Sequence, residues 1–296
     1  MPATVTGTGL FTGAPGAVRI TPADHRLAIV WAVGERTPAD ARAVAPPPSL
    51  PAGGFPARNT ILSGGAGRTL LTVEHMLSAL AGLGVWRAAI EPTGPEVPIG
   101  DGSAVEFVRA LREAGIAGSG SGEVEPIVLR EAIVIEDGKG GRIEAHPRRS
   151  PGATYEYRLD YGPGAPIAAQ SAAWAPAGES EHGHGPGTRV YRDYATEVAP
   201  ARTFCLQAEA EAMRAMGLFK HISPREMLVI GPGGPIENEL RFEDEPARHK
   251  VLDIVGDLAL AGGPIRADIV ATRAGHALNH RLARAILESA AGYDPK

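Results

Sequence analysis

The feature that most constrains this chain is an order of elements that occurs twice. Val73 to Leu83 (VEHMLSALAGL) has the apolar spacing of a helix and stops at Gly84. Asp101 to Ala114 follows, with Val105, Val108 and Leu111 at helical intervals. Later, Ala247 to Ala261 (ARHKVLDIVGDLALA) stops at Gly262-Gly263, and His276 to Ala290 follows with Leu278, Leu282, Ile286 and Leu287 on one face. Short stretches at Arg87 to Glu91, Ile127 to Ile135, Thr154 to Leu159 and Met227 to Ile230 read as strands. Pro46 to Gly54 and Ala175 to Thr188 read as loops. Gly118-Ser119-Gly120-Ser121-Gly122 reads as a linker and places a boundary near residue 122, dividing the chain into units 1–122 and 123–296. The expectation is a duplicated α+β unit, and two such units facing each other would leave a cleft for a ligand.

Bulk properties remove several function classes. A chain of 296 residues buries a substantial core and suits two modest domains. A net charge of -5 argues against a nucleic-acid binder, which normally shows a basic face. The single cysteine, Cys205, excludes an internal disulfide and a multi-cysteine metal site. No apolar run reaches the roughly 20 residues that span a bilayer. Met1 to Gly13 shows no basic patch followed by an apolar core, so a cytoplasmic protein is expected. Gly7-Thr8-Gly9 lacks the third glycine of a dinucleotide turn, and Ser78 and Ser103 have no nucleophile-elbow context, which disfavours a serine hydrolase.

The strongest local chemical signal is His249-Lys250-Val251-Leu252-Asp253. A histidine and an aspartate four apart on a helix share a face and can reach one metal ion. An isolated pair of this kind is more often a polar pair on a solvated face. Its company changes that balance. Glu74-His75 opens the matching helix of the first half, and a carboxylate beside a metal-binding histidine can take a proton from water. His75, His249 and Asp253 would supply the three protein ligands of a catalytic zinc site, leaving a position for water. Asp257, one turn beyond Asp253, could hold His276 by hydrogen bond and favour its charged form. His280, one turn beyond His276, receives no role. His182 and His184 form a rival metal motif in a glycine-rich loop, which has no rigid frame to fix coordination. His25, His146 and His221 have no partner pattern.

Together these motifs resemble the UDP-3-O-acyl-N-acetylglucosamine deacetylases, zinc enzymes of lipid A biosynthesis. The resemblance runs in order along nearly the whole chain. It is carried by Thr72-Val73-Glu74-His75, Val97-Pro98-Ile99 with Asp101-Gly102-Ser103-Ala104, and Ala201-Arg202-Thr203-Phe204. It continues through Leu240-Arg241-Phe242-Glu243-Asp244-Glu245, Arg248-His249-Lys250 with Asp253 and Gly256-Asp257, and Gly275-His276-Ala277-Leu278-Asn279. The resemblance implies two similar α+β domains packed face to face, each a small, mainly antiparallel sheet layered against two helices.

It also implies roles. His75, His249 and Asp253 would hold one Zn2+ per chain, with Glu74 as general base, His276 as general acid and Asp257 orienting it. Thr203 would donate to the carbonyl oxygen, Lys250 would face an acylated UDP-amino-sugar, and Phe204 would line its site. An insert beginning after Phe204, with an amphipathic helix over Gln207 to Met216, would form an apolar acyl passage from Leu206, Met213, Met216, Leu218 and Phe219. Ordinary core packing of that helix explains any single one of these residues nearly as well. No nucleic-acid partner is expected, and a monomer is. Two positions depart from the family pattern. Phe11 stands where a histidine usually follows Gly-x-Gly-Leu, and Phe219-Lys220-His221-Ile222-Ser223-Pro224 replaces a glycine pair. These departures keep in view a paralogue acting on a different N-acyl sugar. A catalytically silent sugar-nucleotide binder is the remaining reading, though binding alone does not require Glu74, His276 and Thr203.

Overall fold

In the computed structural model, the described residues are 1–32, 34–45, 58–117, 124–176, 187–224 and 226–291. The Gly118–Gly122 linker, the boundary at 122 and the His182/His184 motif lie outside them, as does most of each proposed loop.

Among the described residues five α-helices follow the expected order: α1 (Glu74–Gly82), α2 (Val105–Glu113), α3 (Gln207–Ala215), α4 (Glu245–Leu258) and α5 (His276–Ala291). In the first half, strands Ala3–Thr8, Pro15–Pro22, Ala88–Pro92, Ala28–Val30 and Arg36–Pro38 lie side by side in that order. This sheet is mainly antiparallel; Ala28–Val30 pairs in parallel with Ala88–Pro92. The second half builds a mixed sheet in the order Arg189–Tyr191, Gln170–Trp174, Thr154–Leu159, Ile265–Thr272, Arg142–Pro147, Ile133–Glu136. Ile265–Thr272 alternates buried and half-buried residues along its length, with Ile265, Ala267, Ile269 and Ala271 facing inward, the period-2 pattern of a strand covered on one face. The expected strand Ile127 to Ile135 is two strands, Ile127–Val128 and Ile133–Glu136.

The helices fill the space between the sheets. α1 is buried from Glu74 to Leu80, as a helix covered on all sides must be. α2 is amphipathic and packs Phe107, Val108 and Leu111 inward. α4 is buried along nearly its whole length and rests against Thr154–Leu159, Gln170–Trp174, α1 and α5. α5 turns Leu278, Leu282, Ala283 and Ile286 into the same core, which is continuous across both halves. Sheet, paired helices, paired helices, sheet is the resulting sequence of layers.

The α1–α4 contact is the most extensive between elements of the described residues, and it is close. A Cβ built on Gly256 would lie 2.1 Å from the Glu74 carbonyl oxygen, so only glycine lets the helices approach this far. At the same crossing Ser78 Oγ donates to the Leu252 carbonyl at 2.7 Å, and Tyr194 Oη donates to Ser78 Oγ at 2.7 Å. The insert forms a separate small unit. Phe204–Leu206 pairs in parallel with Leu228–Gly231, and α3 covers them over a second apolar cluster that includes Cys205, Met213, Phe219 and Met227. No helix is long and apolar enough to cross a membrane among the described residues.

Gly256→Ala must push α1 and α4 apart. We expect a loss of about 1–3 kcal/mol of stability, the usual cost of overpacking a core, read from the denaturant midpoint. A variant as stable as the parent would show that the close approach is not required.

Candidate metal centre

The close helix crossing delivers the first residues of α1 to the middle of α4. Before α1, Thr72 adopts a left-handed backbone (φ 59°), unusual for a β-branched residue. Its hydroxyl donates to Glu96 Oε1 at 2.6 Å. The buried Glu96 carboxylate also accepts the N–H groups of Phe11 and Thr12, which anchors this turn to the N-terminal strand pair. Glu74 and His75 emerge directly from it, both buried.

His75, His249 and Asp253 each offer one ligand atom, all within 4.8 Å of one another. His249 Nε2 lies 3.3 Å from Asp253 Oδ1, and His75 Nε2 lies 3.9 Å from the same oxygen. A tetrahedral shell with metal–ligand bonds of roughly 2.0–2.1 Å has edges of about 3.3 Å. His249 Nδ1 donates to the Ala201 carbonyl at 2.9 Å, which fixes the tautomer and leaves the Nε2 lone pair for a cation. Two buried atoms of the cluster, His75 Nδ1 and Asp253 Oδ1, have no hydrogen-bond partner among the described residues. Leaving such atoms dry is costly, and a bound cation would offset the cost at Asp253.

The electrostatics favour the ligand forms. Burial, aided by nearby His249, drives His75 down to about 3, so its imidazole is neutral. Burial alone would raise Asp253, but the Lys250 ammonium, the largest opposing influence, outweighs it and holds the carboxyl well below the usual range. Lys250 Nζ donates to Asp253 Oδ2 at 2.6 Å and stands 5.5 Å from the Phe204 ring centre. Two imidazoles and an ionised carboxylate suit a divalent ion.

Beside the cluster lie groups fit for proton transfer. Glu74 Oε2 accepts the Thr60 N–H at 2.9 Å, and burial pushes the Glu74 carboxyl up to about 8. His276 Nδ1 donates to Asp257 Oδ2 at 2.7 Å. Burial would lower His276, but the Asp257 carboxylate dominates and lifts it to about 9. Asp257 itself, opposed by burial but paired with His276 and His280, is held below the ordinary carboxylate range. At neutral pH this is an imidazolium on a carboxylate, with Nε2 free to give a proton.

Ala201-Arg202-Thr203 explains itself residue by residue. Ala201 orients His249, while Arg202 Nε pairs with the fully buried Glu245 at 2.8 Å and locks the start of α4. Thr203 N donates to the Gly102 carbonyl at 2.7 Å. Gly102 has a positive φ of 84°, and a Cβ there would meet the Glu226 carbonyl at 2.4 Å, so this support needs glycine. Arg241 to Asp101, at 2.6 Å, joins two more of the sequence motifs.

A cavity of about 530 Å³ opens onto this centre. Glu74, His75, Thr203, Phe204, Lys250, Asp253 and His276 are on its wall, while His249 and Asp257 are buried close to them. Leu10, Phe11, Met213, Phe219 and Met227 form an apolar stretch of the same wall. Phe11 and Phe219, the two departures noted in sequence, meet there with ring centres 5.2 Å apart. Met216 is exposed, and neither it nor Leu206 and Leu218 lines the cavity.

Sequence reasoning missed Thr60 and left His280 unassigned, yet both touch the Asp257 carboxylate. His280 carries a signal, since it lies one turn from His276 on the same helix face. Thr60 has none, standing in an irregular segment with only spatial neighbours. Asp257, His276 and His280 also form a second group of potential ligands, but His276 and Thr60 already satisfy the carboxylate.

A buried cluster with metal-ligand geometry, a high-pKa carboxyl and a carboxylate-held imidazole together define a hydrolase of the metal-dependent kind. Comparison narrows the class. The chain belongs to the UDP-3-O-acyl N-acetylglycosamine deacetylase family, whose profile matches residues 1–288. It is 35% identical over 296 residues to a UDP-3-O-acyl-N-acetylglucosamine deacetylase of Anaeromyxobacter dehalogenans, covering 97% of this chain and 86% of that one. Proteins of the same name from Nostoc sp. and Synechocystis sp. are 37% and 34% identical, covering 95% and 97% of this chain and 94% and 97% of their own lengths.

His249→Ala should reduce the metal bound per chain, measured by elemental analysis after gel filtration, to near background. A variant that keeps a full complement of tightly bound metal would remove His249 from the ligand set.

Proposed function

We propose that this chain removes the N-acetyl group of a UDP-3-O-(3-hydroxyacyl)-N-acetylglucosamine, releasing acetate and the free amine, as a zinc enzyme of lipid A biosynthesis. The observation that carries the proposal is the convergence of His75, His249 and Asp253 beside Glu74 and the Asp257–His276 pair. The names of the relatives supply the substrate class.

His75, His249 and Asp253 would hold one zinc ion, which when bound supplies a water acidified to about pKa 7 and a Lewis acid for the carbonyl. The chain's own residues do the rest. Glu74 is a base whose proton affinity lies near the working pH, where general-base catalysis is most effective. It takes the proton that the attacking water gives up, while the Thr60 N–H keeps its carboxylate aimed. Thr203 Oγ1 donates to the acetyl oxygen as negative charge develops there. One such donor is typically worth roughly 3–4 kcal/mol. His276 Nε2 then protonates the departing amine, without which the amide would re-form, and Asp257 retains Nδ1 throughout. Lys250 presents the cationic face of the cavity to the sugar nucleotide, and Phe204 forms its apolar neighbour. The acyl chain would lie along Leu10, Phe11, Met213, Phe219 and Met227.

The Phe11–Phe219 contact gives a second reading its one support, a paralogue for another N-acyl amino sugar. A deacetylation assay on the 3-O-acylated UDP-sugar and its unacylated counterpart separates the two. We expect a strong preference for the acylated form; equal turnover of both would displace the lipid A assignment. In the same assay, Glu74→Ala should keep its metal and lose kcat by a factor of about 100 or more. Near-normal turnover would end its role as base.

A further inference from the structure

We infer that Thr60 is a positioning residue serving both sides of the acid–base pair, holding Glu74 with its backbone and Asp257, and through it His276, with its hydroxyl. The inference rests on the assignment of His276 as the acid.

Thr60 is fully buried, just before the strand Ile61–Ser63. It belongs to the first half of the chain, yet it touches three helices. Its N–H donates to Glu74 Oε2 at 2.9 Å, at the start of α1. Its Oγ1 lies 2.5 Å from Asp257 Oδ1 on α4 and, on α5, 2.8 Å from His280 Nε2 and a longer 3.5 Å from His276 Nδ1. A hydroxyl has one proton, and an ionised carboxylate can only accept. The proton therefore goes to Asp257, and the Thr60 oxygen turns a lone pair to His280, whose Nε2 must carry a hydrogen. The direction of the chain is fixed: His280 donates to Thr60, and Thr60 donates to Asp257.

The consequence lies at the other oxygen. Asp257 Oδ2 accepts from His276 Nδ1 at 2.7 Å and from Asn279 Nδ2 at 2.8 Å. With Oδ1 occupied by Thr60, the carboxylate cannot turn about its Cβ–Cγ bond without breaking a charge-assisted bond at full burial. Remove the Thr60 hydroxyl and the best remaining neighbour of Oδ1 is His280, at 3.5 Å. The carboxylate then swings toward His280, the His276 bond loosens, and Nε2 loses its aim at the leaving amine. The inner surface of the catalytic pair is thus set by a residue that is not on the cavity wall and whose side chain bonds to Asp257 and His280.

The experiment compares Thr60→Val and Thr60→Ser in the metal-loaded enzyme. Loss of a hydrogen bond to a charged group should lower kcat of Thr60→Val by about 10-fold or more, with KM within about twofold. The downfield proton NMR resonance of His276 Nδ1–H should shift upfield or vanish in Thr60→Val, and Thr60→Ser should restore both readouts. His280→Leu, at a half-buried position, should shift the same resonance, and combined with Thr60→Val it should add no further loss in kcat. Wild-type kcat with an unshifted resonance in Thr60→Val would overturn the inference, as would losses that multiply in the double variant. If Thr60→Val does not fold, Thr60→Ala decides with the same two readouts: a shifted resonance with lowered kcat supports the chain of donors and wild-type values refute it, since His280 stacks on His276 and its removal alone would move the resonance. A wild-type protein that leaves the acylated sugar nucleotide untouched would instead sink the functional reading, because the resonance reports the Thr60–Asp257–His276 geometry whatever the substrate.

Discussion

The structure depends on two helices from opposite halves of the chain touching at Gly256. Helix axes separated by ordinary side chains stand 8–10 Å apart; the missing Cβ at Gly256 lets the Glu74 backbone enter the groove of α4. That single approach aligns the start of α1 with the turn of α4 carrying His249 and Asp253. Ser78 and Tyr194 close the crossing with hydrogen bonds, so the contact is specified by polar geometry as well as by shape. A site assembled from both halves requires this rigidity, because a displacement of an ångström between α1 and α4 would pull His75 from Asp253.

Burial at the crossing makes the chemistry and also makes it expensive. Glu74, Asp253, Asp257, His249 and His75 are almost wholly removed from water. Unpaired buried charges cost several kcal/mol each, and most of these are answered by a named partner. Lys250 answers Asp253, His276 and Thr60 answer Asp257, and the Thr60 N–H answers Glu74. The exceptions are the free edges of His75 and Asp253. The same low-dielectric setting pushes two titrating groups in useful directions: Glu74 rises to about 8 through desolvation, and His276 rises to about 9 because Asp257 overcomes desolvation. One environment yields a carboxyl that can accept a proton near neutrality and an imidazole that has one to give.

How much of this was legible follows from the range of each interaction. The helices were readable because their apolar periodicity is local; α1, α4 and α5 begin and end within two or three residues of the positions their patterns give. The HxxxD pair was readable because four residues make one helical turn. Placing His75 against it required the repeat of elements and the family motifs, since nothing near Glu74-His75 announces α4. Gly256 stood in sequence only as part of a motif with Asp257, and in the fold it is what admits α1. Thr60 was not legible at all: its side-chain and N–H partners lie 14, 197, 216 and 220 residues away in sequence, and no period links them.

The two departures from the family pattern looked independent in sequence and are one feature in space. Phe11 leaves the turn anchored by Glu96, and Phe219 leaves the end of the insert, yet their rings pack together on the cavity wall. His221, also from the insert, joins them there, its Nε2 lying 3.2 and 3.1 Å from the Gly9 and Leu10 carbonyls of the N-terminal turn. Phe11 and Phe219 thus form one apolar contact. They also act on a different layer from the metal ligands. The Phe11–Phe219 wall belongs to the insert's own apolar cluster, whereas His75, His249 and Asp253 are carried by helices of the main core. That separation would let the shape of the apolar wall vary without moving the helices that carry the proposed metal ligands.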